Sequence, residues 1–427
     1  MTDTSVARRR ISRDVAATLV VFAANGAVAG TWFSRIPAVR DQLHADLRTL
    51  GFVLLCFAIG SMLSMPFAGR LIQRFSARPV CLVGTIGGGL FMSMLPLQRP
   101  TVAFAAVLLL TGACYGIWNV TMNVHGAGVE AQFGRAVMPA FHGAGSGGII
   151  LGTAGGALLA AAGVGLGLHF WIVVPLLTGT VVVATAFWTK GDAAGAGTTP
   201  VETASTVERD AGPMQPRTGP RRGRRSSTLT MPVLLIGLLA FCCAMAQGAT
   251  SDWLAIHAHD DKGFTEALAA AVLTTYAVAE MIGRFTGGRV IDRIGRVWTV
   301  RICGLLAAVG VAVTIILPGA AVYLGAALWG LGLSVVLPLT VTAASDVGGA
   351  EAPRTVATVW TMAWSAFLIG APAMGLLAHR ISLGSALWVI VGLALAVSLL
   401  ARSLAPRGES GEQSIGETRT ATPGAGS

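Results

Sequence analysis

The chain has 427 residues, of which 54% are hydrophobic and 12% are charged, and its mean hydropathy is +0.70. A soluble domain carries about 25% charged residues, so this composition excludes an ordinary soluble globular protein. The net charge of +10 would suit a nucleic-acid-binding protein, but the arginines gather in short stretches between apolar segments. We therefore expect no nucleic-acid partner.

About twelve apolar segments are long enough to cross a bilayer, which takes about 20 residues. We predict spans near 15–36, 49–69, 79–97, 101–124, 136–162, 168–188, 232–255, 265–287, 299–317, 320–344, 355–379 and 383–403. They form an N-terminal bundle (1–188) and a C-terminal bundle (231–403). The segments 189–230 and 404–427 are polar and nearly free of large apolar residues, so we predict that both are disordered.

The basic residues distinguish the two sides of the predicted membrane protein. Most lie on the side of the termini, and the other side holds Arg35, Arg40, Arg48, Arg99, Lys262 and Arg380. Cytoplasmic loops carry the excess of Lys and Arg, so we expect a cell inner-membrane protein with both termini in the cytoplasm. The run Arg221–Arg225 is a candidate contact for anionic lipid, and the alternative is a purely topological charge cluster.

A short arginine-rich stretch follows the second span of each half. Gly288-Arg-Val-Ile-Asp-Arg-Ile-Gly-Arg296 comes after the eighth span, and Gly69-Arg-Leu-Ile-Gln-Arg-Phe-Ser-Ala-Arg78 after the second. The two stretches share one offset (288 − 69 = 293 − 74 = 219), so the chain reads as two related halves. Charges are costly in hydrocarbon, so we predict that each stretch is a tight aqueous turn.

The pattern Gly-x-x-x-Asp-Arg-x-Gly-Arg resembles the signature loop of the major facilitator superfamily. The C-terminal copy carries it at Gly288, Asp292, Arg293, Gly295 and Arg296, whereas the N-terminal copy keeps Gly69 and Arg74 but has Gln73, Ser76 and a displaced Arg78. The resemblance covers all but the tails and the central segment. It implies an all-α protein of two pseudo-symmetric six-helix bundles that transports a solute by alternating access.

A narrower resemblance lies in residues 119–128 and 141–152, which are similar to the bacterial branch of YbjJ-like inner-membrane proteins. The resemblance names no substrate.

Charged residues beside the two turns are candidates for a cytoplasmic gate. Asp292 and Arg293 can bond to neighbouring helix ends when the cytoplasmic side is closed, because arginine binds carboxylates and helix-end carbonyls well. The alternative is a static anchor of topology. The candidate gate residues are Gly69, Arg70, Arg74, Arg78, Arg284, Gly288, Asp292, Arg293, Gly295 and Arg296.

The eighth span carries Tyr276, Glu280 and Arg284 at four-residue spacing, which places them on one helix face. An ionisable residue inside a span is a functional hypothesis by default, so Glu280 is our candidate proton carrier. The alternative is a structural pair of Glu280 with Arg284. His142 in the fifth span is a rival proton site, because histidine titrates near neutral pH. The alternative for His142 is a structural hydrogen-bond donor.

Polar and aromatic residues at helical spacing are candidates for a substrate cavity. They are Asn25, Tyr115, Asn119, Asn123, Gln247, Ser251, Tyr276, Trp360 and Trp364. Polar groups in a membrane interior need partners, so bonding between helices is the alternative for the amides. Anchoring at the membrane interface is the alternative for the tryptophans.

No phosphate-binding loop, metal-ligand set or nucleophile constellation is evident in the sequence, so we expect no cofactor, no metal and no enzymatic activity. The six cysteines fall in apolar segments, which favours packing roles over disulfides. We predict a monomeric secondary transporter of a small solute, with protons and membrane lipids as its other partners. Proton-coupled efflux is the first expectation; a proton-coupled sugar or nutrient importer and a transporter-like ligand sensor are the alternatives.

Overall fold

The computed structural model describes residues 3–189 and 230–405. The predicted disordered segments and the candidate lipid contact Arg221–Arg225 therefore lie almost wholly outside the described residues. Helices dominate the described part, which contains no strand. Six membrane-length helices of the first half are α1 (Ile11–Ser34), α2 (Leu47–Phe75), α3 (Ala77–Leu97), α4 (Thr101–Phe133), α5 (Met138–Ala161) and α6 (Leu166–Thr185).

The second half has the same number of spans, although two of them run together in one helix. Glu266–Ile316 breaks at Gly295, whose φ of 75° and ψ of 163° are not helical. The spans are α7 (Met231–Asp260), α8 (266–294), α9 (296–316), α10 (Ala321–Gly348), α11 (Ala352–Ile381) and α12 (Leu383–Leu404). The described chain thus has the all-α architecture of about twelve spans that the sequence predicts.

The two predicted turns are wrong as drawn, because the arginine-rich stretches are mostly helical. Helix α2 continues through Phe75, and α8 continues to residue 294. A helix satisfies its own backbone hydrogen bonds, and it needs only about 20 residues to cross hydrocarbon. The 29-residue α2 can therefore extend its charged last turns beyond the apolar layer.

Each reversal is made at a single residue, and the two residues are equivalent. Ser76 has a φ of 66° and a ψ of 167°, which nearly match the angles of Gly295. Their separation (295 − 76 = 219) is the offset found in the sequence. The repeat is thus present in the backbone, even where serine replaces the glycine that this conformation favours.

Helix α5 is positioned by close packing on one side and by the second half on the other. A Cβ atom at Gly148 or Gly152 would overlap the carbonyl oxygen of Ala23 or Ala27 in α1, so glycine permits this approach. The opposite side of α5 faces α8, where a Cβ at Gly143 would lie 3.8 Å from the Phe285 ring. The halves meet along α5 with α8 and along α2 with α11.

Candidate functional site between the two halves

A polar network lies midway along the spans where α5, α7 and α8 meet. Arg284 donates from one terminal nitrogen to Glu280 Oε1 at 2.7 Å and from the other to Ser146 Oγ at 2.9 Å. Gln247 of α7 donates from Nε2 to the same Glu280 oxygen at 2.9 Å. The network therefore joins the two halves through the single contact of Arg284 with Ser146.

Glu280 is deeper in the bundle than the sequence indicates. It lies 14 residues after Glu266 and 14 before residue 294, which is about 21 Å from either end of α8. The predicted span 265–287 would instead place it only about two turns from the end of its helix. The side chain of Glu280 is 16% exposed, whereas that of Arg284 is 41% exposed.

Ion pairs between the halves gather at one end of the bundle, which we call the sealed end. Arg35 follows α1 and pairs with Glu266 at the start of α8, with 3.2 Å between nitrogen and oxygen. Arg40 pairs with Asp260, and Asp46 lies 3.3 Å from Nδ1 of His379, which completes an ion pair when the imidazole is protonated. These pairs tie the N-terminal half to the start of α8 and to the ends of α7 and α11.

Arg35 is the buried member of this set. Its side chain is only 2% exposed, and one terminal nitrogen donates to the Val164 carbonyl at 2.8 Å. Burial lowers the pKa of Arg35, and the Glu266 carboxylate partly offsets that effect. A buried guanidinium is costly without a partner, so Glu266 is important for keeping this end closed.

Asp46 makes a second interaction at the sealed end, since it also caps the first turn of α2. Its Oδ1 accepts the Thr49 backbone N–H at 2.7 Å. Hydrogen bonds from Thr49 hold the pKa of Asp46 below its ordinary value of 3.8. The carboxylate is therefore ionised at neutral pH and available to His379 of the other half.

The opposite end, the arginine-rich end, is organised within each half. Arg296 pairs with Asp346 of α10 at 2.7 Å, and both belong to the C-terminal half. Five candidate gate residues at this end are exposed, namely Arg70, Arg74, Arg78, Asp292 and Arg293. No ion pair joins the two halves at this end among the side chains that the structure describes. The proposed lock of Asp292 and Arg293 is therefore not formed in this arrangement of the halves. It stays a prediction for the arrangement in which the arginine-rich end is closed.

His142 lies on α5 one turn before Ser146 and close to the network. Its ring packs edge-on against Phe22 of α1, with 5.4 Å between the ring centroids. The side chain is exposed and interacts electrostatically with Arg284. The structure thus brings the two candidate proton sites, Glu280 and His142, to the same interface between the halves.

Two predicted cavity residues lie inside the N-terminal half instead of between the halves. Tyr115 donates its hydroxyl to Asn25 Oδ1 at 2.9 Å, which joins α4 to α1. Tyr115 also lines an apolar cavity of about 50 Å³ within this half. Asn123 donates to the Asn119 carbonyl at 2.8 Å on the same helix. For Asn25 and Tyr115 the geometry corresponds to the interhelical alternative.

The remaining predicted cavity residues divide between the interface of the two halves and the core of the C-terminal half. Tyr276 is only 6% exposed and packs edge-on against Trp329, so it is a core residue in this arrangement. Ser251 is half-buried one turn beyond Gln247, and its hydroxyl donates to the Gln247 carbonyl at 3.4 Å. Trp364 is 43% exposed beside Phe367, whereas Trp360 packs partly against the core.

Sequence reasoning missed the sealed end. Its six residues are Arg35, Arg40, Asp46, Asp260, Glu266 and His379. They lie at span ends, where charged side chains are readily solvated and therefore do not indicate a functional site. Each residue is also distant in sequence from its partner. A usable signal was present, since Arg35 and Arg40 lie on the side that is otherwise poor in arginine.

The comparisons with known proteins agree with this architecture. The Major Facilitator Superfamily profile matches residues 17–366, with a second match over 236–424. An uncharacterised MFS-type transporter of Yersinia pestis is 29% identical over 92% of this chain and 96% of its own length. A transporter of Sinorhizobium fredii is also 29% identical, over 89% and 95%.

Among solved structures, a mutant of the nucleoside transporter NupG superimposes with a TM-score of 0.71 at 12% identity, over 91% of this chain and 99% of its own. At that identity the likeness concerns the fold alone. The narrower resemblance to YbjJ-like proteins stays a prediction. With its spans, its repeated backbone break and a family match over most of its length, the chain belongs to the major facilitator superfamily of membrane transporters.

Proposed function

We propose that this protein is a secondary transporter that moves a small solute by alternating access and couples the movement to protons at Glu280. The observation that carries the proposal is the Gln247–Glu280–Arg284–Ser146 network. It places one carboxylate midway through the bundle, in the only hydrogen bond path between the halves that the described side chains form at that depth.

Alternating access requires one end to close while the other opens. The ion pairs of the sealed end hold the halves together there, and the described side chains of the arginine-rich end form pairs only within a half. This arrangement suits a transporter that is open at the arginine-rich end. Lys and Arg are enriched on the cytoplasmic side, so we assign that end, and both termini, to the cytoplasm of the inner membrane.

Protonation of Glu280 supplies the coupling. The ionised carboxylate accepts from Arg284 and Gln247, and a proton on Glu280 weakens both bonds. Arg284 is also the residue that reaches Ser146 in the other half. A change in the charge of Glu280 therefore alters the contact between the halves directly, without a relay through distant residues.

Everted membrane vesicles that contain the protein provide the test. A proton gradient is imposed, a pH-reporting dye is followed, and sugars, amino acids, organic acids and amphipathic drugs are added singly. We expect at least one solute to change the gradient in a protein-dependent way. The sign of the change separates exchange, which would export the solute, from symport, which would import it.

Three variants make the test specific. Glu280→Gln should retain solute binding and lose proton movement, because the amide does not titrate. The exposed Glu351→Gln is the matched control and should behave like the wild type. His142→Gln tests the rival site. Proton coupling that survives in Glu280→Gln and disappears in His142→Gln would reassign the carrier, and solute binding without any flux would identify a sensor.

A further inference from the structure

Two donors from different helices converge on one oxygen of Glu280. Arg284 approaches Oε1 at 2.7 Å from the next turn of α8, and Gln247 approaches it at 2.9 Å from α7. A solute carboxylate oxygen would meet the same two donors if it replaced this oxygen. Glu280 thus acts as an internal anion in the resting site.

The surroundings of this oxygen favour an anion over a cation. Three titratable groups of the described chain interact electrostatically with one or both members of the pair, namely His142 on α5, Cys243 on α7 and Tyr276 on α8 itself. Ser146 adds a hydroxyl at 2.9 Å from Arg284. Arg284 is the one permanent cation among these groups, and Glu280 is the one carboxylate of the described residues that pairs with it, so Arg284 would attract an anion once Glu280 is neutral.

Charge balance limits how such an anion could load, because the site lies midway along the spans and the Glu280 side chain is only 16% exposed. With Glu280 ionised, the Glu280–Arg284 pair is neutral. A proton alone on Glu280 would leave the Arg284 guanidinium without a counter-charge, and an anion alone would add a second negative charge beside Glu280. Both states leave an uncompensated charge midway along the spans, which is costly in a membrane protein, whereas a proton and a monovalent anion together restore neutrality.

We propose that Arg284 and Gln247 bind the carboxylate of a small monovalent organic acid, and that Glu280 takes up one proton when this carboxylate displaces it from the two donors. Arginine suits this ligand because its planar guanidinium binds a carboxylate in bidentate fashion. The inference rests on the proposed function and gives it a substrate class. Proton and solute then travel together without net charge, which is symport and corresponds to the importer alternative.

The first test measures protons on binding. The purified full-length protein is placed in a weakly buffered solution with a pH-reporting dye, and formate, acetate or benzoate is added. Formamide, acetamide and benzamide are the neutral controls. We expect uptake of one proton per bound carboxylate and none with the amides. Since formate contains little beyond the recognised group, absence of proton uptake with all three acids would overturn the proposal.

Variants separate the binding of the carboxylate by Arg284 from the uptake of the proton by Glu280. Glu280→Gln should bind the acids without proton uptake and with an affinity that no longer depends on pH, whereas wild-type binding should weaken about tenfold per pH unit in the alkaline range. Arg284→Gln should lose binding. The double variant Glu280→Gln/Arg284→Gln removes both charges, which favours folding, and it should also lose binding. Carboxylate binding that survives in the folded double variant contradicts the assignment.

Failure of this inference is distinguishable from failure of the proposed function. If the vesicles show Glu280-dependent coupling to a neutral or cationic solute, the transporter proposal stands and the carboxylate site is wrong. If carboxylates bind with proton uptake in detergent but never move across vesicles, the site is right and the transport proposal is wrong. Release of protons when a carboxylate binds contradicts the exchange of Glu280 for the solute.

Discussion

The two ends of the bundle are held in different ways. At the sealed end, charged side chains of one half pair with those of the other, as Arg35 does with Glu266. At the arginine-rich end, the polar contacts stay within one half, as Arg296 does with Asp346 and as Asp14 does with His125. Each half can therefore move as a unit at the arginine-rich end, whereas ion pairs must break before the sealed end opens.

The largest effect should come from breaking the buried pair at the sealed end. Glu266→Gln leaves the 2% exposed Arg35 without its counter-charge. We expect about 3 kcal/mol less stability for the sealed arrangement, near the low end for buried pairs because Glu266 is 35% exposed. Amide hydrogen exchange in the short buried helix Ile36–Leu43 should then rise about a hundredfold.

Two controls accompany that variant. The exposed Arg380→Gln at the same end should leave the exchange unchanged. The double variant Arg35→Met/Glu266→Leu replaces the pair with apolar side chains and should restore closure. Unchanged exchange in Glu266→Gln would show that the pair contributes little to sealing.

The second prediction uses the equivalent backbone breaks at the arginine-rich end. Gly295→Ala forces alanine into a conformation that suits glycine, so it should destabilise the protein by about 2 kcal/mol. Ser76→Gly removes the same strain from the other half and should stabilise by about 1 kcal/mol. Thermal unfolding of the purified variants measures both. Equal and small shifts of the same sign would contradict the strained-break account.

The smallest expected effect is pH-dependent and concerns Asp46. Its pKa is held below 3.8 by Thr49, so its contribution is present above that value and lost as the pH falls through the lowered pKa. Asp46→Asn should therefore lower stability by about 0.5 kcal/mol at neutral pH. Melting temperatures of the two proteins should converge as the pH drops toward about 3. A difference that grows in acid would contradict this sign.

The sequence predicts much of the fold and less of the site. Apolar length predicts the spans, and the offset between Gly69 and Gly288 predicts the repeat, because both depend on local chemistry. The continued helix through residues 288–294 was missed, since clustered charge indicates water but does not by itself end a helix. The arginine at position 284 was correctly grouped with Glu280, because four-residue spacing on a helix fixes that contact.

The contacts between distant residues could not be derived in this way. The bond of Gln247 to Glu280 and that of Arg284 to Ser146 depend on how three helices are placed side by side. The same holds for Tyr115, whose partner Asn25 lies in another helix of the same half. Spacing along one helix shows which face a residue shares, but it does not show which helix that face meets.

The most direct test of alternating access measures both ends of one molecule. Spin labels across the sealed end and, separately, across the arginine-rich end report the two distances between halves, in the wild type and in Glu266→Gln. We expect the variant to lengthen the distance at the sealed end and shorten the one at the arginine-rich end. If both distances lengthen together, or if only the sealed end changes, the halves do not alternate and the account is contradicted.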